Sequence, residues 1–389
     1  MDTVRDIILQ ASRLNQCQQY LKSKQLLLDA LAFYPEDVDL MTAFITTCYF
    51  LNDYESTVPW VYKLRRIMGN KLTPYRHMMV RHYIRRMADW AWYNDEIKWL
   101  KNHLDSGEVA PFYLLSLPLK LSEYQKAIKG YFYKQKLDKV PVHRFDFSNR
   151  SFVNRKIKIG FVSANWRKHP EMTQTPTFYR SLDLNQFQPY FYDLTPPDKR
   201  NIPYKQKIIQ ISPKTYKNVA GLNDTQLADL IFFDQIDILV DVTALTVGNK
   251  IGTFIQHPAP IQVAWLGYPE SLGIIPGYDY IIADSYVIPP EKRNEYPEKV
   301  LYLEPSCYPY DEHGVTEHFD ITREELGLPE KGIVFACLGQ DYKLTPNYFT
   351  MWMRILKQVP HSVLWFYSKN EIFTENIKKD AEKNGIDPK

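Results

Sequence analysis

ILVDVTALTVGNKIGTFIQHPAPIQVAWLGYP, residues 238–269, decides the fold. Two runs in it, DILVDVTAL (237–245) and IQVAWLGYP (261–269), are short and rich in Ile, Val and Leu. Strands covered on both faces have this texture, because a parallel sheet is flanked on each side by its crossovers. Between them IGTFIQHPAP (251–260) reads as a helix followed by a turn. Strand, helical crossover and strand together make the repeating unit of a parallel α/β sheet.

The same texture extends outward. Upstream, KIKIGFVSA (156–164) and FQPYFYDLTP (187–196) read as strands, and TQLADLIFFDQ (225–235) as the helix feeding the central run. Downstream, YDYIIADSYVIPP (278–290) and KVLYLEP (299–305) complete a predicted set of six strands. After a joint rich in proline and acid near 305–320, a second unit begins. GIVFACLGQ (332–340) is a strand, PNYFTMWMRILKQV (346–359) a helix, HSVLWFYS (361–368) a strand and NEIFTENIKKDAEKNG (370–385) a helix. From Gly332 to Lys389 this unit has 58 residues. A complete Rossmann-like domain needs roughly a hundred or more, so the second unit is expected to be truncated, with an unpaired sheet edge.

The first hundred residues differ. Glycine is nearly absent and apolar residues recur at helical spacing. Tyr20 and Tyr54, Ala30 and Leu64, and Leu14 and Cys48 are each 34 residues apart. That period is the tetratricopeptide spacing, in which each helical hairpin buries its face on the next. Tyr20, Ala30, Leu31 and Pro35 stand where the motif expects them. The second copy is degraded, with Pro59 inside its second helix, and a third pair (74–104) is off period. The basic run RHMMVRHYIRR (76–86) is expected to be a solvated helix face. The boundaries predicted are 1–105 for tetratricopeptide-like helices, 106–154 for a connector, 155–315 for the first Rossmann-like domain and 316–389 for the start of a second.

Composition removes several function classes. The chain of 389 residues has a net charge of only +3, too balanced for general nucleic-acid binding. No run approaches 18 apolar residues, and MDTVRDIILQASR has acids where a signal peptide needs bases. The four cysteines, Cys17, Cys48, Cys307 and Cys337, have no metal-ligand spacing, and a reduced, cytoplasmic protein is expected. No GxGxxG follows a strand, and neither GxxxxGK[ST] nor GxSxG occurs. No metal or cofactor site is expected.

In open α/β sheets, ligands bind beyond the carboxyl ends of the strands. Four loops have that placement. The strand at 156–164 releases Trp166-Arg167-Lys168-His169-Pro170, and 237–245 runs into VTALTVGNK. The strand at 261–269 ends in Leu266-Gly267-Tyr268-Pro269, where Gly267 allows a close backbone approach. In the second unit, Gln340-Asp341-Tyr342-Lys343 ends the first strand. A lysine there can meet a phosphate as a compact point charge, and a glutamine can hydrogen-bond a base or sugar.

KIKIGFVSANWRKHP, residues 238–269, YDYIIADSYVIPP and IVFACLGQDYKLTPNYFTMWMRILKQVPHSVLW together resemble the O-linked N-acetylglucosamine (O-GlcNAc) transferases, including their bacterial relatives. The resemblance runs from about Ala88, through MADWAWYND, to the end of the chain, and HPAPIQVAWLGYP is its most specific piece. It implies a GT-B fold of two Rossmann-like domains and transfer of N-acetylglucosamine from a UDP-sugar to Ser or Thr of proteins. The transfer inverts the anomeric centre and requires no metal. It implies that His169, followed by Pro170, lies by the sugar, where the family's histidine has been proposed as the base. It places Leu266, Gly267, Tyr268 and Pro269 near the donor, and Gln340 and Lys343 on the nucleotide. A protein acceptor or partner is expected at the helical repeats.

Three departures stand against it. Where the family carries an acid, two residues, then Gly-His-Thr or Gly-Tyr-Thr, this chain has Asp241, Val242, Thr243, Ala244, Leu245 and Thr246. Glu270 and Ser271 replace the usual Gly-Thr after Pro269. The second unit lacks the remaining strands. The alternative expectation is therefore a non-catalytic relative, a helical-repeat adaptor with a degenerate transferase fold.

Overall fold

The computed structural model describes residues 3–51, 53–69, 73–151, 153–198, 201–310, 320–368 and 370–388. The chain forms two compact units, residues 1–103 with 320–389, and residues 104–319.

The first unit opens with helices α1 (Val4–Gln16), α2 (Tyr20–Phe33), α3 (Val38–Leu51), α4 (Val58–Met68), α5 (Pro74–Arg86) and α6 (Tyr93–Lys101). Helices α1 and α3 begin at Val4 and Val38, the same 34-residue step read from the sequence. Thr3 and Asp6 close a capping box on α1, which satisfies amides that have no partner inside the helix. Pro59 lies in the first turn of α4 rather than in its interior, where its missing N–H breaks no helical bond. Leu27, Leu31, Leu40, Phe44, Ile45, Cys48, Val61, Leu64, Val80 and Ile84 bury a common core. Their spacing of three and four residues lays one apolar stripe along each helix.

The basic run does not form a solvated face. Arg81 is 2% and Arg85 6% exposed. Arg81 pairs with the buried Glu96 at 3.2 Å and donates to the Glu96 carbonyl at 2.8 Å. Guanidinium groups tolerate burial when a carboxylate and carbonyls meet their fixed fork of donors. A charge count along the sequence does not register such partners.

Residues 104–319 hold α7 (Leu121–Lys134) and seven parallel strands: β1 (Ile157–Ser163), β2 (Phe187–Asp193), β3 (Tyr216–Asn218), β4 (Ile238–Asp241), β5 (Ile261–Ala264), β6 (Tyr280–Ala283) and β7 (Lys299–Tyr302). Helices α8 (Glu171–Ser181), α9 (Ile202–Ile211), α10 (Asp224–Phe233) and α11 (Ile251–Ile255) connect the first five. The order is β3-β2-β1-β4-β5-β6-β7. Six of these strands match the sequence expectation. The seventh, β3, is Tyr-Lys-Asn at the sheet edge, too short and polar to show in an apolar pattern. Phe161, Trp166, Tyr179, Phe191, Val240, Val263 and Trp265 pack one face. Val162, Tyr192, Leu227, Ile231, Leu239 and Phe254 pack the other. The connector belongs to this unit, since Ile128 and Phe132 of α7 share a core cluster with Leu272, Ile275 and Ile281.

The chain ends with β8 (Val334–Cys337), α12 (Pro346–Gln358), β9 (Val363–Phe366) and α13 (Glu371–Lys383). The two strands pair in parallel as a separate sheet. Phe349 and Met353 of α12 and Phe373 and Ile377 of α13 share a core with Ala88 and Trp90. This packing joins the last segment to the helical region as one unit.

Candidate functional site

The sheet order reverses between β1 and β4. The chain winds one way through β2 and β3, then returns to build β4 to β7 on the other side. The connections leaving the carboxyl ends of β1 and β4 therefore cover opposite faces of the sheet, and such a reversal point is the usual ligand position in these sheets. The loops carrying His169 and Ala244 both leave from this point, and the Leu266–Pro269 loop leaves from β5, beside β4.

A buried polar network holds these loops. The Ala164 amide donates to the Thr243 hydroxyl at 2.9 Å, tying the two strand ends together. Asp241 Oδ1 accepts from the amides of Thr243 at 3.0 Å and Ala244 at 2.7 Å, and the Tyr278 hydroxyl donates to Oδ2 at 2.6 Å. Burial still holds the Asp241 carboxyl above its ordinary pKa. The Trp166 amide donates to the Thr195 hydroxyl at 3.1 Å. The Ser163 hydroxyl donates to Glu171 Oε1 at 2.7 Å and accepts from the Asn165 amide at 3.0 Å.

Glu171 opens α8 and is 4% exposed. Its Oε2 has no well-formed hydrogen bond. Burial pushes its pKa up to about 7, against the moderating Ser163 and Asn165 contacts. At neutral pH a large share of Glu171 is thus a neutral acid. His169 is half-buried, and its Nδ1 accepts from the Glu171 amide at 3.3 Å. Burial first, and then the Arg167 charge, push its pKa down to about 4. The ring is neutral at pH 7, and with Nδ1 accepting, its proton sits on Nε2. In this tautomer Nε2 is a hydrogen-bond donor, not a base.

The Leu266–Pro269 loop is held by fit. A Cβ on Gly267 would stand 2.2 Å from the Val242 carbonyl oxygen and 2.9 Å from that of Thr243. The close approach expected of Gly267 is thus to the protein's own β4 loop. Leu266 has φ of 76°, a left-handed conformation costly for a side chain with a Cβ. Strain of this kind concentrates at functional sites and persists only where the surroundings enforce it. Tyr268 is buried in the apolar cluster under the loop, and Pro269 is partly exposed.

Two of the departures have structural outcomes. Leu245 is 5% exposed and belongs to the apolar cluster with Ile251 and Ile255, so it is a core residue. Glu270 Oε1 accepts from the Tyr296 hydroxyl at 2.7 Å and the Ser271 amide at 2.9 Å. Its charge is held by internal donors.

Gln340 and Lys343 belong to the other unit. A 3-10 turn, Asp341–Lys343, follows β8, and the Lys343 amide donates to the Gln340 carbonyl at 3.0 Å. Lys343 at the end of the turn and Gln340, the extended residue that precedes it, are both exposed. Asp341 and Tyr342, between them, are partly buried against α5. The turn leads into α12, capped by Thr345, whose hydroxyl accepts from the Tyr348 amide at 3.4 Å. Among the described residues, no group of three or more His, Cys, Asp or Glu is placed to hold a metal ion, and no helix is long and apolar enough to cross a membrane.

The sequence marks His169 and the four positions Leu266 to Pro269, but neither Glu171 nor Ser163. An acid at a helix start ordinarily reads as a solvated dipole partner. Only the packing of α8 against β1 buries it.

The chain was compared with known proteins. The family model for glycosyl transferase family 41 matches residues 87–321 and 315–389. A probable UDP-N-acetylglucosamine–peptide N-acetylglucosaminyltransferase SEC of Arabidopsis thaliana is 29% identical over 241 residues, covering 60% of this chain and 24% of the relative. A probable transferase of the same description, SPINDLY of Oryza sativa subsp. japonica, is 29% identical over 222 residues, covering 56% of this chain and 23% of the relative. The chain thus spans about a quarter of the length of these curated relatives. A solved structure of a mutant O-GlcNAc transferase from Thermobaculum terrenum superposes with a TM-score of 0.76 at 19% identity, covering 100% of this chain and 74% of that one. That likeness bears out the fold: a helical amino-terminal region followed by a parallel α/β sheet of the transferase type.

Proposed function

Because this chain belongs to glycosyl transferase family 41, we propose that it transfers a sugar, N-acetylglucosamine, from a UDP-sugar to Ser or Thr hydroxyls of proteins, inverting the anomeric centre. The observation that carries this reading is the site at the β1/β4 reversal. There His169, fixed by the Glu171 amide, and the strained Leu266–Pro269 loop follow β1 and β5, the two strands that flank β4 in one sheet.

An inverting transfer needs an oriented hydroxyl, a route for its proton and a stabilised leaving diphosphate. Lys343 supplies charge to the diphosphate without a metal, and Gln340, exposed at the start of the same turn, contacts the nucleotide. Leu266, Gly267 and Pro269 line the donor. His169 acts as a neutral donor through Nε2–H, orienting the sugar or acceptor, rather than removing the acceptor proton. The helical hairpins, tetratricopeptide-like in their 34-residue step, receive the protein acceptor in the cytoplasm.

Titration of UDP and UDP-N-acetylglucosamine by calorimetry tests the donor assignment. Micromolar binding that Lys343→Ala abolishes is expected. For His169, turnover should fall at least tenfold in His169→Ala with UDP affinity unchanged. His169→Gln, which can place an N–H near the Nε2 position, should recover much of it. A glutamine variant as inactive as alanine would restore the base role.

Leu245 favours a second reading. A polar ring at that position is part of the family pattern, and here the side chain is core. A non-catalytic partner that retains the fold would show no UDP binding and would capture a protein through residues 1–105.

A further inference from the structure

We propose that Arg85 and Arg86, in the last turn of α5, are positioning residues for the donor turn 340–343, a role that rests on the donor reading above. The turn is clamped from behind. Arg86 Nη1 meets Asp341 Oδ1 at 3.0 Å, with the two side chains only 12% and 10% exposed. The Arg86 guanidinium lies between two rings, 4.7 Å from the Tyr54 centroid and 5.1 Å from that of Tyr342. Its Nε donates to His82 Nε2 at 2.8 Å. Burial, with Arg86 and Arg85 beside it, pushes the His82 pKa down to about 3, so the ring stays neutral and can accept. The His82 ring also contacts that of Tyr342 at 5.5 Å. Arg85 Nη2 donates to the Tyr342 carbonyl.

Where these contacts reach the turn, they fall on residues 341 and 342. None falls on Gln340 or Lys343, the two that face outward from the same turn. A short 3-10 turn has poor hydrogen-bond geometry and little rigidity of its own. Fixing its inner side therefore fixes where its outer side points. A planar guanidinium stacked between two rings and paired with a carboxylate has few rotamers left, which makes it a rigid support. The support comes from the last turn of α5, which ends one residue before the segment matched by the family model. It was invisible in a sequence that read 76–86 as a basic surface.

The bland alternative is that the arginines only cement α5 to the last segment. A second contact separates the two. Asn376 Nδ2 donates to the Met87 carbonyl at 2.8 Å. It cements the same seam but touches nothing in the turn. Three variants, Arg86→Gln, Arg86→Lys and Asn376→Ala, are compared with the wild-type chain by UDP calorimetry and by amide hydrogen exchange of residues 338–345. Arg86→Gln should weaken UDP at least tenfold and speed exchange in that segment. Arg86→Lys, which keeps the charge beside Asp341 but loses the stacked plane, should weaken UDP about threefold. Asn376→Ala should change neither. Should Arg86→Gln not fold, Arg86→Lys carries the test on the same two readouts. Unchanged UDP affinity or exchange in the Arg86 variants, or an equal loss in Asn376→Ala, overturns the role. Absence of UDP binding by the wild-type chain overturns the donor reading, and this role with it, even where the exchange contrast persists.

Discussion

Replacing Glu171 with Gln tests the central feature of the β1/β4 network, a carboxyl buried without a full set of donors. Its native pKa is raised from 4.5 to about 7, with burial the leading cause. A raised carboxyl binds its proton more tightly in the native state than in the unfolded one. The native state is therefore favoured at low pH, and that advantage is lost as pH rises from below 4.5 through 7. With those two values, the cost of holding Glu171 in the fold is about 1 kcal/mol at pH 5 and about 3 kcal/mol at pH 8. Stability should thus fall by about 2–3 kcal/mol between the two on account of this one group.

Glu171→Gln cannot ionise. Its amide oxygen can still accept from Ser163, while its NH2 replaces the poorly bonded Oε2. That buried NH2 costs about 1–3 kcal/mol, but at every pH alike. The variant should lie below wild type at pH 5, and the gap should close or reverse by pH 8. Urea unfolding of residues 104–319, followed by the fluorescence of Trp166 and Trp265, measures both. Parallel pH profiles for wild type and variant would refute the reasoning, because they would mean that Glu171 titrates normally and is not sealed between α8 and β1.

Two further perturbations probe the supports of the site. Gly267→Ala puts a methyl 2.2 Å from the Val242 carbonyl oxygen, and overpacking against backbone should cost about 3 kcal/mol. Gly221→Ala, where nothing lies within 4 Å, is the control and should shift the urea midpoint little or slightly upward; equal effects would show that the two loops are not in contact. In the helical unit, Arg81→Met should cost about 3–5 kcal/mol, because it leaves Glu96 buried beside Arg65 alone at 3.8 Å. Arg81→Met with Glu96→Leu should recover most of that loss, and a double variant no better than the single would mean the pair is not buried as a unit.

The α/β fold was legible because its strands are short, apolar and separated by helical segments, a texture that parallel sheets impose. The 34-residue step was legible because two hairpins repeat it, with Ala30 and Leu64 both in the core and α1 and α3 both starting on the step. Legibility failed where partners come from far along the chain. Arg81 reads as surface until Glu96 is seen beside it, and Arg86 until Asp341, 255 residues later, meets it. Glu171 reads as a solvated first-turn acid for the same reason. Its burial depends on Ser163 of β1, and on the packing of α8 over the sheet. The positions flagged by motif, His169 and Leu266 to Pro269, lie in the first turns after β1 and β5, and that placement could be read from the apolar strand pattern before them.

The departures at 244 and 245 can now be separated. Ala244 has φ of 44°, the left-handed region where glycine is at ease and alanine is strained by about 1–2 kcal/mol. The chain thus keeps the backbone that a glycine would adopt, even without the glycine. Two contacts enforce it: Asp241 Oδ1 takes the amides of both Thr243 and Ala244, and Gly248 (φ 86°) packs so closely that a Cβ would stand 2.9 Å from that of Ala164. Loop shape is therefore held by the acid and the strand ends, not by the residue at 244. The side chain at 245 is a different matter, since a leucine turned into the core cannot offer the polar contact that the family pattern carries there. A site with its loop backbone in place and one polar group fewer is expected to keep the donor's outline while holding it less tightly. On this reasoning a weak but Lys343-dependent UDP affinity marks the transferase, and only its complete loss marks the adaptor.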